Sequence, residues 1–220
     1  MGVRARNPKP ARRPAERRAR QAGAAGWRFE PLTPARWHDF TALFGPRGAC
    51  AGCWCMWARL PAAEFRSLGA PGRRAAIRRR VNSGTVPGLL AYEGDRPVGW
   101  AAVGLRSEFR RLENSRILAP VDDREVWSVP CFFVSKDARG RGLVVALLEA
   151  AGRFAAGRGA HTLEGYPVDT RGRRGAASFL WTGPAQCFRD AGFREAARRS
   201  PTRPIMRREV RATRARSGRG

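Results

Sequence analysis

The sequence contains little lysine, histidine or tyrosine, and its apolar residues never form a long run. Lys9 and Lys136 are the two lysines among 43 basic residues, and histidine and tyrosine each occur twice. No stretch of about 18 apolar residues exists, so no membrane-spanning helix is expected. Residues 1–26 carry charge throughout and lack the apolar segment of a secretory signal peptide. These absences predict a cytoplasmic protein that makes no membrane contact.

Cysteine is also sparse, and its arrangement excludes a secreted disulfide framework, since there are five cysteines at irregular spacing. Three of them, Cys50, Cys53 and Cys55, lie in the stretch CAGCWCMW. Cys-x-x-Cys is a frequent zinc spacing, but no second ligand pair follows it. We therefore expect no bound metal, with zinc on these cysteines as the alternative. The simpler interpretation is a hydrophobic plug formed by the neighbouring tryptophans and methionine.

Acidic residues are few as well, and the formal net charge is +25. More than half of this excess lies in residues 1–26 and 198–220. Enrichment in arginine, alanine, glycine and proline is typical of a GC-rich genome and does not by itself indicate a partner. The tails are nevertheless expected to contact nucleic acid non-specifically, because neutralised phosphates release counterions. The arginine-rich stretch 73–80 is interpreted as a solvated basic face.

The chain length and the distribution of apolar residues predict one domain with two tails. Residues 1–25 and 209–220 are almost free of large apolar side chains, so we expect a disordered basic arm and a disordered basic tail. Residues 26–208 form the predicted domain.

Within that domain, apolar periodicity and turn residues predict a mixed α/β (α+β) fold. Strands are predicted from Trp27, at 88–93, 97–105, 124–134 and 161–168, and as a final pair about Ser200. Helices are predicted after Thr33, near 62–68 and 72–82, at 141–156 and within 176–193.

The stretch SVPCFFVSKDARGRGLVVALLEAA, residues 128–151, places two glycines between a strand and a helix. Backbone N–H groups at such a helix start converge on an anion, aided by the helix dipole. A Rossmann fingerprint would need glycine where Val145 stands, and a Walker loop would need Gly-Lys-Ser/Thr, which is absent. Pro130 interrupts the strand and cannot donate to a ladder, so we expect the strand to be splayed there. A gap beside a strand, followed by a phosphate site, suits coenzyme A, which joins a diphosphate to an amide-rich arm.

On these residues the sequence resembles the GCN5-related N-acetyltransferase (GNAT) family, which grips acetyl-CoA with a strand, an Arg-Gly-x-Gly turn and a helix. The resemblance implies a mixed, mostly antiparallel central sheet flanked by helices. It also implies acetyl-CoA as co-substrate. The implied cofactor-binding residues are Phe132, Phe133 and Val134 along the pantetheine, and Arg139, Gly140, Arg141 and Gly142 around the diphosphate. One motif position departs from the family pattern, since Asp137 or Val144 stands there, depending on the alignment.

Acetyl transfer to an amine needs a base, a polarised carbonyl and a proton for the leaving thiolate. Glu125, at the start of the motif strand, and Glu164, on the next strand, are the candidate bases, with Glu125 preferred. Each is otherwise interpreted as an exposed strand carboxylate paired with arginine. The family often has a tyrosine as general acid where this chain has Phe188.

The predicted function is therefore direct acetyl transfer from acetyl-CoA to an amine of a small molecule or peptide. The alternative is a catalytically weak protein of the same fold, acting as a basic nucleic-acid-binding protein or adaptor. Because the family is often dimeric, the resemblance implies a homodimer as one of the protein's assembly states. It does not indicate which amine is the acceptor.

Overall fold

The computed structural model describes residues 26–170 and 181–211, which form nine strands and six α-helices. The strands are β1 (Trp27–Pro31), β2 (Gly88–Glu93), β3 (Arg96–Ala102), β4 (Gly104–Leu105), β5 (Trp127–Val129), β6 (Phe132–Val134), β7 (Thr162–Gly165), β8 (Arg194–Arg198) and β9 (Pro204–Glu209). The helices are α1 (Trp37–Phe44), α2 (Ala62–Ser67), α3 (Gly69–Asn82), α4 (Arg110–Glu113), α5 (Leu143–Ala156) and α6 (Ala185–Asp190). Within the described ranges, no helix is long and apolar enough to cross a membrane.

The strands form two sheets, and the chain passes from one to the other three times: between β3 and β4, between β5 and β6, and between β6 and β7. One sheet has the order β1-β2-β3-β6, and the other has the order β4-β5-β7-β9-β8. β5 and β7 run parallel, whereas the other recorded strand pairs are antiparallel. The predicted mixed, mostly antiparallel arrangement is confirmed.

The strand predicted at 124–134 is divided at Pro130 and Cys131. Its first part, β5, pairs with β7 in one sheet. Its second part, β6, pairs with β3 in the other. The missing N–H of proline explains the break, because the residue cannot continue the ladder. The two sheets therefore diverge at the start of β6, and β6 and a 3-10 turn, Lys136–Ala138, lead on to the glycine turn.

Helices cover both faces of the sheets, and two apolar clusters result. The apolar face of α5 packs in one cluster with residues of β2, β3, β5 and β7. On that face, Leu147 and Leu148 are fully buried. The opposite face carries Phe40 of α1, Ile77 of α3 and Trp100 of β3 in the second cluster. Burying each such side chain contributes about 1.5–3 kcal/mol. The glycine turn thus rests on a rigid helix.

Several element boundaries differ from those that the sequence predicts. The strand predicted at 97–105 ends at Ala102, and Val103 separates it from β4. Thr33 makes no capping hydrogen bond within the described residues, and a 3-10 turn, Pro34–Arg36, precedes the start of α1 at Trp37. Of the helix predicted within 176–193, residues 176–180 lie outside the described ranges, and α6 occupies Ala185–Asp190.

Candidate active site

The glycine turn before α5 has the backbone of an anion site. Gly140 and Gly142 have φ values of 73° and 81°, in the left-handed region that side chains disfavour. Gly142 is the N-cap of α5, a helix of 14 residues. The first N–H groups of a helix have no partner within it, and the helix dipole adds partial positive charge there. The turn can therefore hold a phosphate, as its sequence predicts.

Two arginines of the turn are tied to neighbouring strands. Arg139 donates from Nε to the carbonyl oxygen of Val134 at 3.2 Å, which links the turn to the end of β6. Arg141 pairs with Glu93 in the β2–β3 hairpin, and its guanidinium lies 5.8 Å from the Trp27 ring centroid. The hydrogen bond with Glu93 raises the pKa of Arg141. Both side chains are thus held beside the turn.

A third arginine at the turn is absent from the linear motif. Arg96, at the start of β3, forms ion pairs with Glu93 and with Asp137. Asp137 is the residue at which the motif departs from the family pattern in one of the two alignments, and its carboxylate would otherwise repel a phosphate. Pairing with Arg96 offsets that charge. Sequence reasoning missed Arg96 because the hairpin, rather than chain proximity, brings it to the turn.

The backbone of β6 offers hydrogen-bonding groups to the gap between the sheets. Ala102 donates to the Cys131 carbonyl at 2.9 Å, and Ser135 donates to the Val98 carbonyl at 3.0 Å. Because groups alternate along an antiparallel ladder, the N–H and C=O of Phe132 and Val134 point away from β3. The backbone of Phe133 faces β3 instead. Of the three residues predicted to bind the pantetheine, Phe132 and Val134 have suitable backbone directions.

Part of this edge is already engaged. The N–H of Phe132 donates to the Trp181 carbonyl at 2.7 Å, and the Val134 carbonyl accepts the Arg139 bond. The N–H of Val134 remains directed into the gap. An extended amide-bearing ligand would therefore pair first at Val134.

Phe188, which stands where the family often has tyrosine, is a core residue. It is fully buried and lies edge-on to Phe132 and Phe193, at ring-centroid distances of 6.0 and 5.1 Å. Its ring covers Gly165, where a Cβ would approach Phe188 Cε1 to 2.1 Å. The side chain packs α6 against β7 and supplies no proton.

Glu164 lies in a buried polar network and is fully buried itself. Its carboxylate accepts from Arg106 Nη1 at 3.0 Å and from Arg207 Nε at 2.7 Å. It also accepts from the Tyr166 hydroxyl at 2.6 Å, and that hydroxyl lies 2.7 Å from Ser128 Oγ. Burial, followed by the charge of Glu164, raises the pKa of Tyr166 well above its usual value. An amine would have to displace an arginine to reach Glu164.

Glu125, the preferred candidate base, is exposed and lies two residues before β5. The break at Cys131 is six residues further along, or about 20 Å for an extended chain. The structure therefore does not bring Glu125 and Glu164 together at the break. Glu125 is accessible to solvent, whereas Glu164 lies in the buried network that links β5 to β7.

The loop at residues 45–61 packs against the face opposite α5. Trp54 and Met56 are buried, and Trp54 stacks on Phe44 at a centroid distance of 6.0 Å, as the hydrophobic-plug interpretation expects. The Trp57 ring lies edge-on to the Trp181 ring, with 4.4 Å between the ring centroids. Across residues 26–170 and 181–211, no three His, Cys, Asp or Glu side chains are grouped to hold a metal ion.

The arginines at 73–80 are more engaged than a solvated basic face would be. Arg73 donates to the carbonyls of Phe65 and Gly52 at 2.8 and 3.0 Å, which fastens the loop to α3. Arg74 and Arg78 lie over the Trp37 ring at 5.9 and 4.7 Å. Aromatic residues of the loop and of α1 supply these contacts, which the local charge pattern does not indicate. A groove of about 530 Å³ lies between α1, the loop at 45–61 and α3, and tryptophan, proline, alanine and arginine side chains line it.

Comparison with known proteins agrees with this geometry. A family model described as the acetyltransferase (GNAT) family matches residues 54–180. The structure is similar to arylalkylamine N-acetyltransferase 2 from Aedes aegypti, at 15% identity and a TM-score of 0.52, covering 84% of this chain and 99% of that one. It is also similar to a GNAT-family acetyltransferase from Streptococcus agalactiae, at 12% identity and a TM-score of 0.50, covering 86% of this chain and 97% of that one. No curated protein matches the chain. At these identities the structural likeness concerns the fold alone.

Proposed function

Because the chain belongs to the acetyltransferase (GNAT) family, we propose that it transfers an acetyl group from acetyl-CoA directly to an amine. The observation that carries this proposal is the division of one strand into β5 and β6, with β6 leading by a short 3-10 turn to a left-handed glycine turn. This arrangement opens a gap with strand amides at its edge and a helix N-terminus at its end. An extended amide arm that ends in a diphosphate fits both parts.

The residues around the gap suit coenzyme A in chemistry and in space. A Cβ at Gly140 would meet no atom within 4 Å, so the turn is open on that side. The N–H groups from Gly140 to the start of α5, with Arg139 and Arg141 beside them, would hold the diphosphate. The N–H of Val134, then the C=O of Phe132, would pair with the amide arm. Bound there, acetyl-CoA supplies an activated acyl carbon and a thiolate leaving group.

The chain's own groups orient the reactants and exclude water from one side of the gap. Phe132 and Phe188 form an apolar wall, since both are buried. The network of Glu164, Tyr166 and Ser128 holds β7 against β5 below the break. Because Glu164 is enclosed by arginine, we assign it a positioning role. We propose that exposed Glu125 accepts the proton of the amine through a chain of waters along β5, since about 20 Å of extended chain separates it from the break.

The activity is tested by measuring thiol release from acetyl-CoA with a panel of small amines and peptides, and by detecting the acetylated product by mass. We expect thiol release that depends on both the enzyme and an amine. Release without an acetylated product would indicate hydrolysis, and no release with any amine would contradict the proposal.

With an active amine, Glu125→Gln is expected to lower kcat/KM by roughly 100-fold at neutral pH, as loss of a general base does. Asp123→Asn is the matched control, since Asp123 is also an exposed carboxylate on the segment before β5. It should leave kcat/KM near the unsubstituted value. Equal rates in both variants would remove Glu125 from the mechanism.

A further inference from the structure

Two thiols, Cys55 and Cys131, lie in one apolar cluster on the sheet face opposite α5. Trp100 is opposite Phe133 in the β3–β6 register, and Cys131 is two residues from Phe133, so Cys131 faces the same side. On that side the indole N–H of Trp100 donates to Cys55 Sγ at 3.0 Å. The Cys131 thiol donates to the Phe132 carbonyl at 3.9 Å, and its interaction with Cys55 changes the pKa of both thiols. Both cysteines belong to the same apolar cluster.

We propose that Cys55 and Cys131 form an oxidisable dithiol site that reacts with a hydroperoxide and closes to a disulfide. The pair joins the loop at 45–61 to the break between β5 and β6. Both thiols are free in the structure. The acetyl-transfer mechanism proposed above uses neither of them.

The surroundings divide the roles of the two thiols. The hydrogen bond with Cys131, followed by the charge of Arg59 and the Trp100 N–H, lowers the pKa of Cys55 despite its burial. The same hydrogen bond, together with burial, raises the pKa of Cys131 well above its usual value. Burial, then the charge of Cys55, raises the pKa of Cys53 to about 11. The Trp100 N–H donates to the Cys55 sulfur, which favours the thiolate there, whereas the Cys131 thiol directs its proton to the Phe132 carbonyl. We therefore assign Cys55 as the attacking thiolate and Cys131 as the resolving thiol.

The backbone fixes Cys55 in place before any reaction. Among the described residues, the non-glycine positions with positive φ are Ala49, Ala51, Trp54 and Cys55, all within one short segment. Such backbone persists only where packing determines it. Cys55 and Trp54 are buried, whereas Cys131 is half-buried, so we expect a small oxidant to reach the pair from the side of Cys131.

The reaction balances with the peroxide as the named oxidant. The Cys55 thiolate attacks one peroxide oxygen, the O–O bond breaks, and a sulfenic acid forms as the other oxygen leaves as water or an alcohol. The Cys131 sulfur then attacks the Cys55 sulfur, the S–O bond breaks, and water leaves. The two thiols lose two electrons and two protons in total, and the peroxide is reduced.

Oxidation would tie the loop to the residue at which the sheets separate. The effect on catalysis rests on the proposed function, because the amide arm of coenzyme A is placed along β6, next to Cys131. We expect the disulfide form to transfer acetyl groups at least roughly 10-fold more slowly, since a small displacement of reacting groups costs that much or more. Reduction with dithiothreitol should restore the rate.

The chemical site is tested without any enzymatic assay. The reduced full chain is treated with about one equivalent of hydrogen peroxide per dithiol, the stoichiometry of a two-electron oxidation. It is then digested with trypsin under non-reducing conditions and analysed by mass spectrometry. Cleavage after arginine and lysine gives peptides 48–59 and 125–136, which carry the two thiols. The expected product is their crosslinked pair, lighter by two hydrogens and separated by dithiothreitol.

Variants assign the link to individual sulfurs. The double variant Cys50→Ser, Cys53→Ser leaves Cys55 as the one thiol of peptide 48–59 and should still crosslink. Cys131→Ser should stop at a Cys55 sulfenic acid that dimedone traps. Cys187→Ser is the matched control, because Cys187 is also half-buried but packs in the other cluster, and the crosslink should remain.

A crosslink through Cys50 or Cys53, oxidation to sulfinic or sulfonic acid alone, or unreacted Cys55 and Cys131 would overturn the proposal. The wild-type map decides between these outcomes even if a variant does not fold. If the crosslink forms but the reduced chain acetylates no amine, the proposed function fails and the dithiol site stands. If the reduced chain is active and no crosslink forms, the dithiol site fails and the proposed function stands.

Discussion

Replacing Gly140 with tryptophan is expected to weaken acetyl-CoA binding by roughly 100-fold or more, because losing two charge-assisted hydrogen bonds costs about 3 kcal/mol. Gly140 is exposed, has a φ of 73°, and has open space where a side chain would begin. An indole there would occupy the place proposed for the diphosphate. The measurement is the dissociation constant of acetyl-CoA by calorimetry.

Gly159→Trp is the matched control for that substitution. Gly159 follows α5, is exposed, has a φ of 83°, and also has no atom within 4 Å of a Cβ. The two variants therefore share the backbone cost of a side chain in the left-handed region. We expect Gly159→Trp to bind acetyl-CoA as the unsubstituted chain does. Equal weakening in both variants would place the effect in stability rather than in the site.

Replacing Glu164 with glutamine is expected to lower the free energy of unfolding by about 3 kcal/mol, the cost of breaking a buried ion pair. Glu164 is the fully buried ion-pair partner of Arg106, which is 8% exposed and, among the described residues, keeps only the half-exposed Glu113. Arg207 keeps Asp122. The substitution removes the negative charge and keeps the size of the side chain. Urea unfolding followed by circular dichroism measures the change.

Glu195→Gln provides the comparison for Glu164. Glu195 pairs with Arg198 at 2.6 Å, but its side chain is 41% exposed. Pairs of this kind contribute about 1 kcal/mol or less. If Glu164→Gln destabilised the chain no more than Glu195→Gln does, the buried network would not hold the β5–β7 pair as described.

The part of the site that lies close together in the sequence was predictable from it. Pro130 predicted the break in the strand, because the absence of a proline N–H is a local property. Gly140 and Gly142 predicted the turn for the same kind of reason, and both have positive φ. The apolar stripe of α5 then followed from its helical period. Each of these signals needs only neighbouring residues.

What the sequence did not reveal depends on contacts between distant residues. The hairpin brings Arg96 beside Asp137, and the linear motif does not indicate that ion pair. Glu164 lies on a strand with no local sign of burial, and arginines 58 and 43 residues away enclose it. The contact between Cys55 and Cys131 depends on the packing of the loop over β3. Tertiary pairing, rather than propensity, determines all three.

Calorimetric titration of the full chain with acetyl-CoA and with S-acetylpantetheine, which lacks the diphosphate and the nucleotide, is the most direct test of the proposed gap and turn. We expect saturable binding of acetyl-CoA at one site per chain. We expect S-acetylpantetheine to bind at least roughly 100-fold more weakly, because the N-terminus of α5 then has no phosphate to hold. Equal affinity for the two ligands, or no binding of acetyl-CoA by the folded chain, would contradict a coenzyme A site between β6 and the glycine turn.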